Sequence, residues 1–348
     1  MGSKRNGKGQ TMKKRLLGLF AAGAMAVGLM TLPASAFKLE GEPKVAMIIF
    51  SQKNDGGWSQ ALDEARQRLE ASMGIKIPVV ENVPENATAI RPAVELFIQR
   101  GFNVIIGSAF GYSDTFKELS EKYPNVAFLN PAGITNGPNL ESFYGRTYES
   151  QYLCGMAAAG ASKTGKLGFV AANPFGLVNW TVNAYALGAQ QINPDATVTV
   201  VYTGAWNDPV KGSELTKAQI SEGADVVYAA AGGTGVGVLQ TAADEGILSI
   251  GVDSNQNYMH PGQVLTSMMK RVDNAVYDAF KEGAEMTTGI NVMGLANDGV
   301  GYAMDDNNAP LVTDDMKAKV EEAAAKIKSG EIVVHDYMSD NTCPAATF

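Results

Sequence analysis

Val45-Ala-Met-Ile-Ile-Phe50, then Ser51-Gln-Lys-Asn54-Asp55-Gly56-Gly57, then Trp58-Ser59, is the stretch whose reading decides the fold. The first six residues are a continuous apolar run rich in Val and Ile. Such a run marks a strand buried on both faces, which requires helices on either side of a parallel sheet. The Asn-Asp-Gly-Gly segment continues neither strand nor helix easily, and its glycines let the backbone turn tightly and approach another group closely. Loops at the carboxyl ends of parallel strands are where open α/β sheets bind ligands. In this one stand the amide of Asn54, the carboxylate of Asp55, the indole of Trp58 and the hydroxyl of Ser59, groups able to hydrogen-bond a polar ring and stack on its face. The other reading of Trp58 is a core anchor for the helix it opens, and the loop alone does not separate the two.

Working outward, the pattern repeats. Helical spacing over Ser59–Ser72 is followed by a strand over Ile75–Val83, a helix over Ala89–Gln99, a strand at Val104–Gly107, a helix over Asp114–Lys122 and a strand at Val126–Leu129. The strand-like Ser142–Arg146 begins a second run of the same kind. In it, helices Glu149–Ala161, Val182–Gln191, Pro209–Ser221 and Val236–Glu245 alternate with strands Leu167–Ala171, Val198–Tyr202, Val226–Ala230 and Ser249–Asp253. Strand Val264–Met268, helix Arg271–Gly283, strand-like Asn291–Leu295 and Val300–Met304, helix Asp314–Lys328 and strand Ile332–Tyr337 are too few for a third domain. The expected fold is therefore α/β, two doubly wound parallel-sheet lobes joined by a multi-strand hinge. The expected lobes are residues 37–146 with 265–289, and residues 147–264 with 290–348. A chain that crosses between lobes more than once makes a hinge, and a hinge makes a cleft.

Upstream, Lys13-Lys14-Arg15, the apolar run Leu16–Leu32 and Pro33-Ala34-Ser35-Ala36 have the form of a secretory signal, with the mature chain beginning at Phe37. Met1–Thr11 is set aside from fold reasoning. Removing residues 1–36 discards Lys4, Arg5, Lys8, Lys13, Lys14 and Arg15 and no acidic residue, so the net charge of −8 becomes more negative still. That opposes a nucleic acid or an anionic membrane surface as partner. With no cysteine at the processed end, the chain is expected to be soluble, exported and free, without a lipid anchor. A disulfide between Cys154 and Cys343 is allowed in an exported protein, but the sequence does not establish one. The only histidines, His260 and His335, have no metal-ligand spacing, no Gly-x-Ser-x-Gly elbow occurs, and no cofactor is implied. The residues offer binding groups without a reaction apparatus.

Each tryptophan falls just past a predicted strand: Trp58, Trp180 and Trp206. That placement favours rings directed into a shared cleft, with core positions as the alternative. Phe110, after strand Val104–Gly107, repeats the pattern, although a phenylalanine there also serves as a helix staple. Gly232-Gly233-Thr234-Gly235 lies between a strand and a helix but fits neither the dinucleotide fingerprint nor the Walker spacing. Close backbone approach to a flat, uncharged ligand is the functional reading, and strand–helix packing the structural one. Asp253 and Lys270 each end an apolar strand. A carboxylate and an ammonium of this kind suit the vicinal hydroxyls of a sugar, and also form ordinary surface ion pairs.

Taken together, the Asp55…Trp58-Ser59 loop, Ser108–Asp114, Tyr144–Ala159, Ser162–Ala172, Gly188–Pro194, Gly223–Val238 and Ile250–Lys270 resemble the basic membrane protein family of ABC-transporter substrate-binding proteins. The best understood of these are purine nucleoside receptors with a type I periplasmic-binding fold. The resemblance implies a purine held between Trp58 and Trp206, with Asn54-Asp55 on the base edge, the Gly232-Gly233 backbone close by, and Asp253 with Lys270 on a ribose. Nucleoside-binding members carry Phe-Asn where this chain has Trp58-Ser59, so a nucleobase joins the nucleoside as an expected ligand. The implied partners are the membrane permease subunits of an importer, and the chain is expected to be a monomer. A sugar-binding protein of the same fold is the nearest alternative. A nucleoside hydrolase or phosphorylase lacks a general acid–base group or phosphate site here, and a repressor core lacks a DNA-binding head.

Overall fold

The computed structural model describes residues 36–174, 176–272, 274, 285–335 and 346–347. Residues Ala34–Phe348 form one compact unit, and the account below is of that unit. The signal-like segment, most of the helix expected over Arg271–Gly283, and Cys343 lie outside the described residues.

Strand β2 (Val45–Ile48) has every side chain buried. Because side chains alternate along a strand, Val45, Met47 and the following Ile49 pack on one face with Trp58, Leu62, Ala65 and Leu69 of α1 (Trp58–Met73). Ala46 and Ile48 pack on the other with Ile90, Val94 and Phe97 of α2 (Ala87–Gln99) and Phe116 and Leu119 of α3 (Ser113–Lys122). Two-sided burial is thus what the apolar run encodes. Around β2 a six-stranded sheet takes the order β13 (Gly289–Met293), β6 (Leu140–Gly145), β5 (Ala127–Pro131), β4 (Val104–Gly107), β2, β3 (Val79–Val80), with every pairing parallel.

The second sheet runs β14 (Val300–Tyr302), β11 (Val264–Lys270), β10 (Leu248–Gly251), β9 (Val226–Ala230), β7 (Lys166–Ala171), β8 (Thr197–Tyr202), β15 (Ala346–Thr347). All its pairings are parallel except β11 with β14. Leu167, Phe169 and Tyr228 face α4 (Thr147–Ala161), α5 (Gly176–Ile192) and α8 (Asp314–Ser329). Val170, Val227 and Ala229 face α7 (Thr234–Asp244), beside which lies α6 (Pro209–Ser221). Helix α4 is buried almost all round, as a helix without a polar face must be. Gly155 and Gly188 let α4 and α5 touch, since a Cβ at either would collide with the carbonyl of Tyr185 or Tyr152. A short antiparallel pair, β1 (Ala36–Lys38) with β12 (Glu285–Thr287), stands apart from both sheets. Among the described residues no helix is long and apolar enough to cross a membrane.

Several expectations are corrected. Strand β11, expected with the first lobe, pairs in the second sheet, and β13, all but its first residue expected in the second lobe, pairs in the first. Both are short apolar strands, and their pairing depends on where the crossings run. Only Val79–Val80 of the strand expected over Ile75–Val83 is regular: Pro78 has no N–H, and the Ile77 N–H is taken by Glu70 Oε1 at 2.7 Å. Residues 332–335 form no strand. Helix α5 begins at Gly176, not Val182, which places Trp180 inside a helix. Cys154 is a buried free thiol whose pKa is pushed up by desolvation.

Three passages join the sheets: β6 to α4, β11 to β13 and β13 to β14. They are tied to one another. Arg146 N–H donates to Met293 O at 2.7 Å and Arg271 N–H to Gly299 O at 2.9 Å. The buried carboxylate of Glu149, one turn into α4, accepts from Leu295 N–H at 2.7 Å.

Candidate functional site

Between the two sheets lies a cavity of about 130 Å³. The first sheet and its helices contribute Trp58, Pro131, Ala132 and Phe143. The second contributes Gln151, Thr181, Trp206, Gly232, Asp253 and Lys270, and the crossing segments add Gly145, Arg271 and Gly299.

Trp58 reaches this wall because the loop before it is wound by Asp55. Asp55 Oδ1 accepts from Gly57 N–H at 2.9 Å and Gln60 N–H at 3.1 Å, satisfying amides that α1 leaves open at its first turn. The indole N–H of Trp58 donates to Ser108 O at 3.1 Å. Only 8% exposed, Trp58 belongs to the first sheet's core and also to the cavity wall, so the two sequence readings of it describe one ring. The Lys270 ammonium lies 4.6 Å from its ring centroid, a cation–π distance.

Lys270 Nζ is also 2.7 Å from Asp253 Oδ1. Oδ1 is buried with no donor in hydrogen-bond geometry; the contact is an ion pair rather than a directed hydrogen bond. The backbone reinforces it, since Lys270 N–H donates to Asp253 O at 2.9 Å. Asp253 is held at φ +71°, a left-handed conformation uncommon outside glycine.

Trp206 follows β8 in a loop and is partly buried against the second core. Its carbonyl accepts from Thr234 N–H at 3.1 Å. Gly232, at φ +56°, lies close beneath it: a Cβ there would be 3.1 Å from the Trp206 carbonyl and 3.7 Å from its ring.

The same loops meet across the cleft. A Cβ on Gly57 would stand 2.5 Å from the backbone of Gly232, and one on Gly233 3.0 Å from the Asp55 carbonyl. Gln256 Nε2 donates to Gly56 O, and Gln60 Nε2 to Tyr258 OH at 2.8 Å. The lobes are closed on each other.

Of the residues singled out in the sequence, Trp58, Trp206, Gly232, Asp253 and Lys270 come together on the cavity wall. The others do not. Asn54 is exposed in its turn, Asp55 is committed to capping, and Ser59 is fully buried in the first turn of α1 with its hydroxyl unpartnered. Phe110 is 45% exposed in a short turn. Trp180 sits on α5, which offers Val178 and Thr181 to the cavity instead. Gly233 packs on the Asp55 loop. Sequence reasoning missed Phe143, Gln151, Thr181 and Arg271. Gln151 had a signal: an amide just before the apolar run of a helix buried on all sides needs a partner, and its Nε2 donates to Tyr228 OH at 2.7 Å while Oε1 has none.

Residues 42–337 match the family described as Bmp, ABC transporter substrate-binding protein PnrA-like. The chain belongs to this family. As a member of the PnrA-like family it is a substrate-binding protein of an ABC transporter and not an enzyme. A purine-binding protein of Brucella abortus is 32% identical over 292 residues, 83% of this chain and 82% of that protein. A protein of Haloferax volcanii, provisionally named an ABC transporter glucose-binding protein, is 36% identical over 191 residues, 54% of this chain and 48% of that one. A solute-binding protein of an ABC transporter system from Aeropyrum pernix superposes with a TM-score of 0.74 at 23% identity, over 84% of this chain and 94% of that structure. The PnrA-like chain thus has the periplasmic-binding fold.

Proposed function

We propose that the protein is the extracytoplasmic receptor of an importer, closing on a purine nucleoside or nucleobase and presenting the closed form to a membrane permease. The observation that carries this reading is the pair of indoles, Trp58 and Trp206, brought from opposite sheets to one cavity wall. Aromatic faces on two separate bodies suit a flat ring, which each can cover from its own side. The purine-binding relative supports the choice of ring. Asp55 is occupied by its helix, so the base edge falls to polar groups of the second lobe such as Gln151 and Thr181. Lys270 lies against the Trp58 ring and is paired with Asp253, so the ammonium and the carboxylate together can meet ribose hydroxyls beside a stacked base. Ligand favours closure only through contacts it makes better in the closed form, and the second indole supplies one. The protein acts as a monomer in the periplasm once its leader is removed at Phe37.

Mass spectrometry of small molecules released on denaturing the purified protein, with calorimetric titrations of adenine, adenosine and glucose, tests the reading. A released or titrating purine supports it. Glucose binding with no purine response favours the sugar alternative raised by the Haloferax relative.

A further inference from the structure

Among the described residues, three charged side chains line the cavity: Asp253, Lys270 and Arg271. Asp253 and Lys270 are paired at 2.7 Å and cancel. Arg271 is left over. Its backbone N–H is fixed to Gly299 O in the crossing segment, its side chain is exposed, and among the described residues no carboxylate is within ion-pair distance of it. The rest of the lining consists of apolar residues, glycines and the neutral polar groups of Tyr144, Thr147, Gln151 and Thr181. Among the described residues, the cavity of this acidic protein therefore carries one uncompensated positive charge at its edge.

A ligand that carries a negative charge gains a charge-assisted contact with this guanidinium that a neutral ligand does not, and because Arg271 stays exposed with the lobes closed that gain is screened by salt. A guanidinium is suited to the task, because its planar fork matches paired oxygens or a ring oxygen beside a ring nitrogen. Resting on the purine reading above, we propose that the ligand is a purine bearing a negative charge, with the anionic group directed to Arg271. Two sources supply that chemistry: an oxopurine whose ring has lost a proton, and a nucleoside monophosphate. Neutral purines enter the same aromatic slot but leave the guanidinium unanswered. Discrimination then comes from charge at the edge and not from the stack, which accepts any purine face.

The experiment is calorimetric titration of the full-length mature protein with adenine, urate and adenosine monophosphate, at low and high salt, for the wild type and for Arg271→Gln and Arg271→Lys. The expected result is that urate or the monophosphate binds at least about tenfold more tightly than adenine, and that added salt narrows the difference. Whichever anion binds better identifies the source. Arg271→Gln should collapse the ratio of anionic to neutral affinity towards one, and Arg271→Lys should restore part of it. Adenine binding as tightly as both anions, or a ratio that survives Arg271→Gln, overturns the charge inference and leaves the purine reading standing. If none of the three binds and glucose does, the purine reading falls and takes this inference with it.

Discussion

Trp58 and Trp206 face one cavity from two lobes, yet they are held in different ways. Trp58 opens a helix, is packed among Leu62, Ala65 and Leu69, and has its indole N–H bonded to Ser108 O. Trp206 rides on a loop and is held mainly through its backbone, with a glycine beneath its ring. One ring belongs to the scaffold and serves the site as well; the other belongs to the site. The difference teaches that the same residue type on two walls of one cavity can be fixed by the core in one lobe and held by a loop in the other.

The largest expected effect tests that contrast directly. Trp58→Ala should lower the unfolding free energy by about 3–5 kcal/mol, as for other buried aromatic truncations, whereas Trp206→Ala should cost the fold about 1 kcal/mol and instead weaken a purine by about 0.5–1.5 kcal/mol beyond lost burial. Urea denaturation and calorimetry of both variants decide it; equal destabilisation would erase the contrast. Next, Gly57→Ala places a methyl against the Gly232 backbone, and should disfavour the closed form by about 1–3 kcal/mol while leaving each lobe folded. Small-angle scattering should then show a larger radius of gyration with saturating ligand than the wild type has. An unchanged radius would mean that the two glycine loops do not limit closure.

Asp253→Ala leaves the Lys270 ammonium without its partner, and should cost nucleoside binding about 1–3 kcal/mol while costing free base less. Lys270→Met removes the cation from the face of Trp58 and should spare the base while weakening the nucleoside. Equal losses for both ligands in both variants would assign the pair to closure and not to a sugar. The smallest effect is expected of Tyr258→Phe, which deletes the exposed interlobe bond from Gln60; about 0.5–1 kcal/mol of closed-state stability should appear as a slight loss of ligand affinity, with unfolding by urea unaltered.

The alternation of strand and helix was most legible at β2, β4 and β7, because burial on both faces leaves no other pattern available to them. Sheet membership of β11 and β13 was not, since each is apolar enough for either sheet and only the crossings assign them. At the site, Trp58, Trp206, Gly232, Asp253 and Lys270 were legible because each stands where a strand ends or a helix begins. Asn54 and Asp55 stood there too. A carboxylate in such a loop can serve the neighbouring helix as readily as a ligand, and composition does not say which. Trp180 misled because the helix containing it starts within a Gly- and Asn-containing stretch with weak periodicity. Gln151, Thr181 and Arg271 contribute from a helix interior or a crossing segment, where the usual loop signals are absent.

The ties among the crossing segments have a mechanical meaning. Arg146 is bonded to Met293, Arg271 to Gly299, and Glu149 to Leu295, so the strands between the lobes behave as a bound bundle and not as separate tethers. A bundle fastened along its length can twist or bend about one line, but it resists sliding one lobe past the other. The travel of the whole molecule then reduces to a single angle. A substrate that is bound better in the closed form then acts on that one angle.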